Sequence, residues 1–245
     1  MSDVSRAVEA IWHIEGARLI ASVARMVRDI GLAEELAQDS LVAALEHWPA
    51  TGIPDNPGAW LMTTAKRRAL DYLRHQNLAA PRHAELSLEL DARHALASAE
   101  FTDQVDSALD DDVGDDLLRL IFTACHPVLS PEARCALTLK VVGGLTTDEI
   151  ARAYLLPQAT LAQRIVRAKR TLAVARVPFE VPRAAELAPR LASVLEVIYL
   201  IFNEGYAATQ GEDWVRPSLC EDALRLGRIL AELMPYESEV HGLVA

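Results

Sequence analysis

Apolar residues recur along most of the chain at helical rather than alternating spacing, so the expected class is all-α. Between Val8 and Ile30, the positions Ile11, Ile14, Leu19, Val23, Met26, Val27 and Ile30 predict one helix, with Gly31 as its C-terminal cap. Leu32 to Trp48 predicts a second. Leu36, Leu41, Leu45 and Trp48 form its apolar stripe, and Glu34, Glu35, Gln38 and Asp39 form an acidic, polar side. Pro49 to Gly58 is dense in proline and glycine and is expected to be a loop. Ala59 to His75 predicts a third helix, in which Trp60, Leu61, Ala65, Leu70 and Leu73 can pack while Lys66, Arg67, Arg68 and Arg74 form a basic patch.

No strong stripe runs through Pro81 to Gly114, which reads as a partly helical linker. Helices are expected again over Asp115 to Cys125 and Ser130 to Val142. The second starts on a cap followed by proline at the first helical position, and Gly143-Gly144 ends it. Thr146 with Glu149 fits a capping box. The residue before Pro157 avoids helical geometry, so the short helix breaks at Leu155-Leu156 and another starts near Gln158. In that last helix Leu161, Ile165, Ala168 and Leu172 make one stripe. Gln163, Arg167 and Arg170 lie opposite, with Arg164 and Lys169 on the flanks. This is a helix-turn-helix with a basic second helix, whose long donors suit phosphates and base edges in a major groove. Two amphipathic runs, Glu186 to Ala207 and Leu219 to Met234, resemble one hairpin of a helical repeat and are expected to begin a larger domain.

Charge sharpens this picture. The net formal charge is -11, which does not suit a protein that holds DNA by bulk attraction alone. The charge is segregated: seven basic residues face two acidic ones between 136 and 176, and eleven acidic residues face one basic one between 84 and 118. Such blocks suggest a DNA-binding surface and an acidic segment meant for a different partner. No apolar run is long enough to predict a membrane span, and the N-terminus does not resemble a signal peptide. Three scattered cysteines suit a reducing, cytoplasmic setting, and buried thiols at Cys125 and Cys135 are favoured over a zinc site with His126. Glycine-rich phosphate loops and nucleophile elbows are absent, so neither an enzyme nor a cofactor is expected.

An acidic helix, a basic aromatic helix, an acidic linker and a helix-turn-helix, in that order, resemble the sigma-70 family of bacterial transcription initiation factors, and within it the extracytoplasmic-function (ECF) group. AEELAQDSLVAALEHW resembles the polymerase-binding helix, NPGAWLMTTAKRRALDYLR the promoter-melting helix, and LTTDEIARAYLLPQATLAQRIVRAKRTL the fourth-domain helix-turn-helix. The resemblance implies sigma region 2 over 8–76, an acidic linker over 77–114, sigma region 4 over 115–176 and a helical, tetratricopeptide-like extension over 177–245. It places Glu34, Glu35, Gln38 and Asp39 against the clamp helices of core RNA polymerase, whose flap would hold region 4. It puts Trp60, Lys66, Arg67, Arg68 and Arg74 at the -10 element, with the Pro49 to Gly58 loop around a flipped base. It puts Thr160, Gln163, Arg164, Val166, Arg167, Lys169 and Arg170 at the -35 element.

The chain departs from the family's pattern at Arg67, where asparagine is frequent, and at Ala162, where a longer polar reader is common. The resemblance leaves open both a separate anti-sigma factor and regulation by the C-terminal extension. The competing expectation is a helix-turn-helix repressor or activator that binds duplex DNA alone. That alternative leaves the Glu34 to Asp39 face, the basic third helix and the acidic linker without a joint explanation.

Overall fold

The computed structural model describes residues 3–79, 116–206 and 217–245. The acidic block expected as a linker lies almost wholly outside them. Ten α-helices and no strand occur among the described residues. They form a first bundle of three helices and a second set of seven, joined by one continuous apolar cluster.

The first bundle consists of α1 (Asp3–Val27), α2 (Ile30–Thr51) and α3 (Pro57–Ala79). The boundary between α1 and α2 differs from expectation. Arg28 takes the left-handed turn at φ 55°, and the Asp29 carboxylate accepts the Leu32 N–H at 3.0 Å as the N-cap of α2. Gly31 therefore sits in the first turn of α2 and caps nothing. The expected Pro49 to Gly58 loop is also shorter: α2 runs through Pro49, and Gly52 at φ 83° ends it. Asn56 Oδ1 then accepts the Ala59 N–H at 3.0 Å, and Pro57 occupies the first position of α3.

Packing within this bundle relies on alanine more than the leucine pattern predicts. Ala33, Ala37, Ala44, Ala65 and Ala69 are fully buried, as are Leu61 and Trp48. Small residues let helix axes approach closely, and this moves the inner face off the leucine stripe. Leu45, Leu70 and Ile14, all expected to pack, are exposed in consequence (42%, 41% and 71%).

The second set begins with α4 (residues 116–124) and α5 (Pro131–Val141), where Ser130 Oγ and Pro131 start the helix as expected. The helix-turn-helix follows as α6 (Thr147–Ala153) and α7 (Gln158–Val174). The capping box is complete: Thr146 Oγ1 accepts the Glu149 N–H, and the Thr146 N–H donates to Glu149 Oε2 at 2.7 Å. Leu155 turns the chain at φ 49°, a conformation that costs a non-glycine residue energy and is held here by the helices on both sides.

A 3₁₀ turn (Ala184–Glu186) leads into α8 (Leu187–Tyr206), α9 (Pro217–Leu233) and α10 (Ser238–Val244). The last helix was not expected. This hairpin is no loose appendage, because α8 lies across α5. Arg134 of α5, 7% exposed, donates to Ser193 Oγ and to Glu196 Oε2 (2.8 Å), and Ser193 Oγ donates to the Cys125 carbonyl at 2.6 Å. Arg190 donates to the Phe122 carbonyl at 2.7 Å, and Arg225 of α9 to the Gly143 carbonyl at 2.6 Å. The hairpin thus satisfies backbone carbonyls left over at the ends of α4 and α5.

Candidate nucleic-acid interface

The helix-turn-helix divides its residues as the sequence pattern predicts. Leu161, Ile165, Ala168 and Leu172 are buried, whereas Gln163, Val166, Arg167 and Arg170 are exposed. Val166 is 63% exposed, an apolar group in the middle of a polar face and suited to contact with a thymine methyl. Thr160 is exposed at the N-terminal end of α7, and Arg164 is half-buried on the flank. A groove of about 360 Å³ runs beside α7, lined by Ser130, Thr160, Gln163, Arg164, Arg167 and Thr171 among others. Ser130 did not stand out as a site residue in the sequence. It enters the groove because the start of α5 packs against α7, and its only sequence signal was the helix cap.

The basic patch of α3 is also partly open. Arg67 and Arg74 are exposed, and Lys66 and Arg68 are half-buried. Arg74 pairs with Asp71 at 3.3 Å within its own helix. Arg68 pairs with Asp39 of α2 at 3.3 Å, so one residue expected at DNA and one expected at a protein partner neutralise each other. Trp60 is half-buried and packs edge-on against Trp48 (5.5 Å) and His47 (6.4 Å). Its ring is a support for the α2–α3 corner.

The four residues expected on the acidic side of α2 do not form one open face. Glu35 and Gln38 are exposed and Asp39 is half-exposed, but Glu34 is 3% exposed. A buried carboxylate must be compensated by counter-charge or hydrogen bonds. Glu34 has three such neighbours: the Gln38 side-chain amide donates to Oε1 at 2.9 Å, Lys140 Nζ lies 3.6 Å from Oε1, and Lys169 Nζ contacts Oε2. Lys140 comes from α5 and Lys169 from α7. Glu34 therefore faces the second set of helices, contrary to the expectation of a solvent-facing acidic side. Nothing local in the sequence marks this, because both lysines lie more than 100 residues away.

Among the described residues no three His, Cys, Asp or Glu side chains converge on one point. Burial pushes the Cys125 thiol up to about 11 and the Cys135 thiol up to about 12, so both stay protonated. Cys125 Sγ instead lies 3.3 Å from Thr138 Oγ1. No helix among the described residues is long and apolar enough to cross a membrane.

Comparison with known proteins matches the same segments. Residues 15–78 match Sigma-70 region 2, residues 119–172 match Sigma-70, region 4, and residues 190–245 match a family of unknown function (DUF6596). The chain is 42% identical to an uncharacterised protein of Rhizobium meliloti over 92% of its own length and 52% of that protein. It is 29% identical to the probable ECF RNA polymerase sigma factor SigI of Mycobacterium tuberculosis, over 72% of the chain and 58% of SigI. It is 30% identical to the ECF RNA polymerase sigma factor SigK of Mycobacterium ulcerans, over 63% of the chain and 78% of SigK. The chain thus spans between half and three-fifths of the length of the first two. No solved structure matches it.

Proposed function

The chain belongs to the ECF group of the sigma-70 family, and from that premise we propose that it is a specificity subunit that brings core RNA polymerase to promoters and helps open them. The observation that carries this reading is the outward face of α7. Gln163, Val166, Arg167 and Arg170 present two guanidinium groups, one amide and one apolar patch to solvent on a helix anchored from behind by four buried residues. Arginine and glutamine are the side chains that pair bidentately with guanine and adenine edges, so the face suits reading of a duplex -35 element. Thr160, Arg164 and the N-terminal turn of α5 would hold flanking phosphates, whereas the Lys169 ammonium, expected there too, is engaged with Glu34.

The partly exposed basic face of α3 suits a different task. Lys66, Arg67, Arg68 and Arg74 would track the backbone of the -10 element as its strands part, and Trp60 would brace the corner beside it. Arg67 in place of asparagine makes that region a charge contact more than an amide readout. Glu35, Gln38 and Asp39 supply the acidic α2 surface for the clamp helices of the polymerase. In this role the chain supplies recognition and strand separation, and the polymerase supplies the chemistry.

Reconstitution tests the proposal. The chain mixed with core polymerase is expected to co-elute with it and to direct run-off transcripts from cognate genomic fragments. Tight duplex binding without core, and no co-elution, would instead indicate a stand-alone repressor or activator.

A further inference from the structure

The outward face of α7 is not uniformly polar. At about 3.6 residues per turn, Gln163, Val166, Arg167 and Arg170 lie within about 50° of the direction opposite the buried stripe. They sort to two sides of that direction. Arg167 leans toward the groove beside the start of α5, which it lines together with Thr160, Gln163, Arg164 and Thr171. Val166 leans the other way, 63% exposed, with half-buried Ala162 one turn before it, and neither lines the groove. Gln163 stands between the two sides.

The helix therefore offers hydrogen-bonding groups on one side and a strip of methyl groups on the other. Valine and alanine side chains neither donate nor accept a hydrogen bond. In a major groove the one base feature that rewards them is the 5-methyl of thymine, which cytosine and both purines lack. A donor or acceptor of another base would lie against the strip without a partner, which is unfavourable. An isolated exposed valine carries no such meaning, because single apolar residues are ordinary on a protein surface. Here the valine shares its side of the helix with Ala162 and is bounded by Gln163, Arg167 and Arg170.

We infer that the duplex element under α7 contains a thymine whose 5-methyl packs on the Ala162–Val166 strip, within about two base pairs of the guanine taken by Arg167. The spacing follows from the helix. Gln163 and Arg167 are about 6 Å apart along its axis, and a base pair occupies about 3.4 Å of duplex. Gln163 takes an adenine in the same span. Val166 is thus a specificity residue in its own right. The inference rests on the part of the proposed function that sets α7 in a major groove, and it does not require core polymerase.

Removing single methyl groups tests it. The full-length chain, with core polymerase and without it, selects duplexes from a pool randomised over the -35 segment. Each thymine of the selected element is then replaced in turn by deoxyuridine, which keeps the pairing and the O4 acceptor and lacks only the methyl. At one position the replacement is expected to weaken binding about fourfold, the worth of one buried methyl group. Val166→Ala is expected to bind the thymine and deoxyuridine forms nearly equally, and Val166→Ile to restore the difference. Val166 lies outside the core, so both variants keep the fold.

A selected element without thymine, equal binding of the deoxyuridine forms at every position, or a methyl effect undiminished in Val166→Ala would overturn the inference. A methyl effect with the chain alone, and no association with core, would support the contact while overturning the sigma-factor reading. No selection under either condition would overturn both.

Discussion

Arg134 is one of three arginines that fix the C-terminal hairpin to the helix-turn-helix domain, and it sets a measurable energy. Its guanidinium is 8% exposed and makes two charge-assisted hydrogen bonds, to Ser193 Oγ and Glu196 Oε2. Such bonds contribute roughly 1.5–3 kcal/mol each when a buried partner is left behind. The two ends differ, however. Glu196 is 49% exposed and regains water when released, so its share is reduced toward the surface value of about 0.2–1 kcal/mol. Ser193 is 6% exposed but keeps its own bond to the Cys125 carbonyl, so it is not orphaned. Arg134→Ala therefore loses about 2 kcal/mol of polar interaction, and the void left by the side chain adds about 1–2 kcal/mol more. Arg134→Met fills that void and removes a costly buried charge, so it is expected to lose only about 1 kcal/mol.

The predicted order is thus Ala below Met below wild type, with Glu196→Gln nearly neutral. Urea unfolding followed by far-ultraviolet circular dichroism measures it, provided that the m-value is unchanged between variants. An Arg134→Ala variant within about 0.5 kcal/mol of wild type, or an Arg134→Met variant less stable than Arg134→Ala, would refute this assignment.

Arg167→Ala is expected to lower run-off transcription at cognate promoters by the equivalent of about 1–3 kcal/mol, with no effect on core binding, and equal activity at every promoter would remove Arg167 from the reading face. Burial, with the Arg190 charge beside it, pulls the half-buried His126 down to about 4, and its Nδ1 accepts the Val128 N–H at 3.1 Å, which requires the unprotonated ring. The unfolded chain therefore binds a proton that the fold refuses. The melting temperature should fall between pH 6.5 and pH 4, and His126→Asn should flatten that fall. Removing residues 177–245 should lower the stability of the remaining helix-turn-helix domain, since α8 covers α5, and an unchanged urea midpoint for the truncated chain would show that the hairpin is dispensable for folding.

Legibility in the sequence followed the range of the interaction. The helix-turn-helix was readable residue by residue because everything that defines it is local. The Thr146–Glu149 box, the break before Pro157 and the four-residue stripe of α7 all act within a few turns of helix. The Gly31 error was also local, but a competing cap won. Asp29 began α2 earlier than the hydrophobic pattern suggested, and Arg28 absorbed the left-handed turn usually left to glycine. Leu45 and Leu70 failed for a tertiary reason. Alanines on the facing helices allowed closer packing, and the stripe rotated toward them.

Glu34 shows where a charge pattern stops being informative. On a helical wheel it is one of four polar residues on an acidic side, and a solvated face is the ordinary expectation for such a side. Its burial depends on Lys140 and Lys169, which no spacing rule connects to it. Yet the sequence did carry one sign of conflict: both residues of the Glu34–Lys169 pair were already claimed by external partners. Glu34, on the face proposed for polymerase, and Lys169, on the helix proposed for DNA, are of opposite charge, and here they meet each other. In a chain free of both partners, such surfaces are each other's most available counter-ions. Lys140 and Lys169 are thus where the α2 face and the helix-turn-helix domain meet, and that meeting is written in the tertiary fold, not in any local spacing.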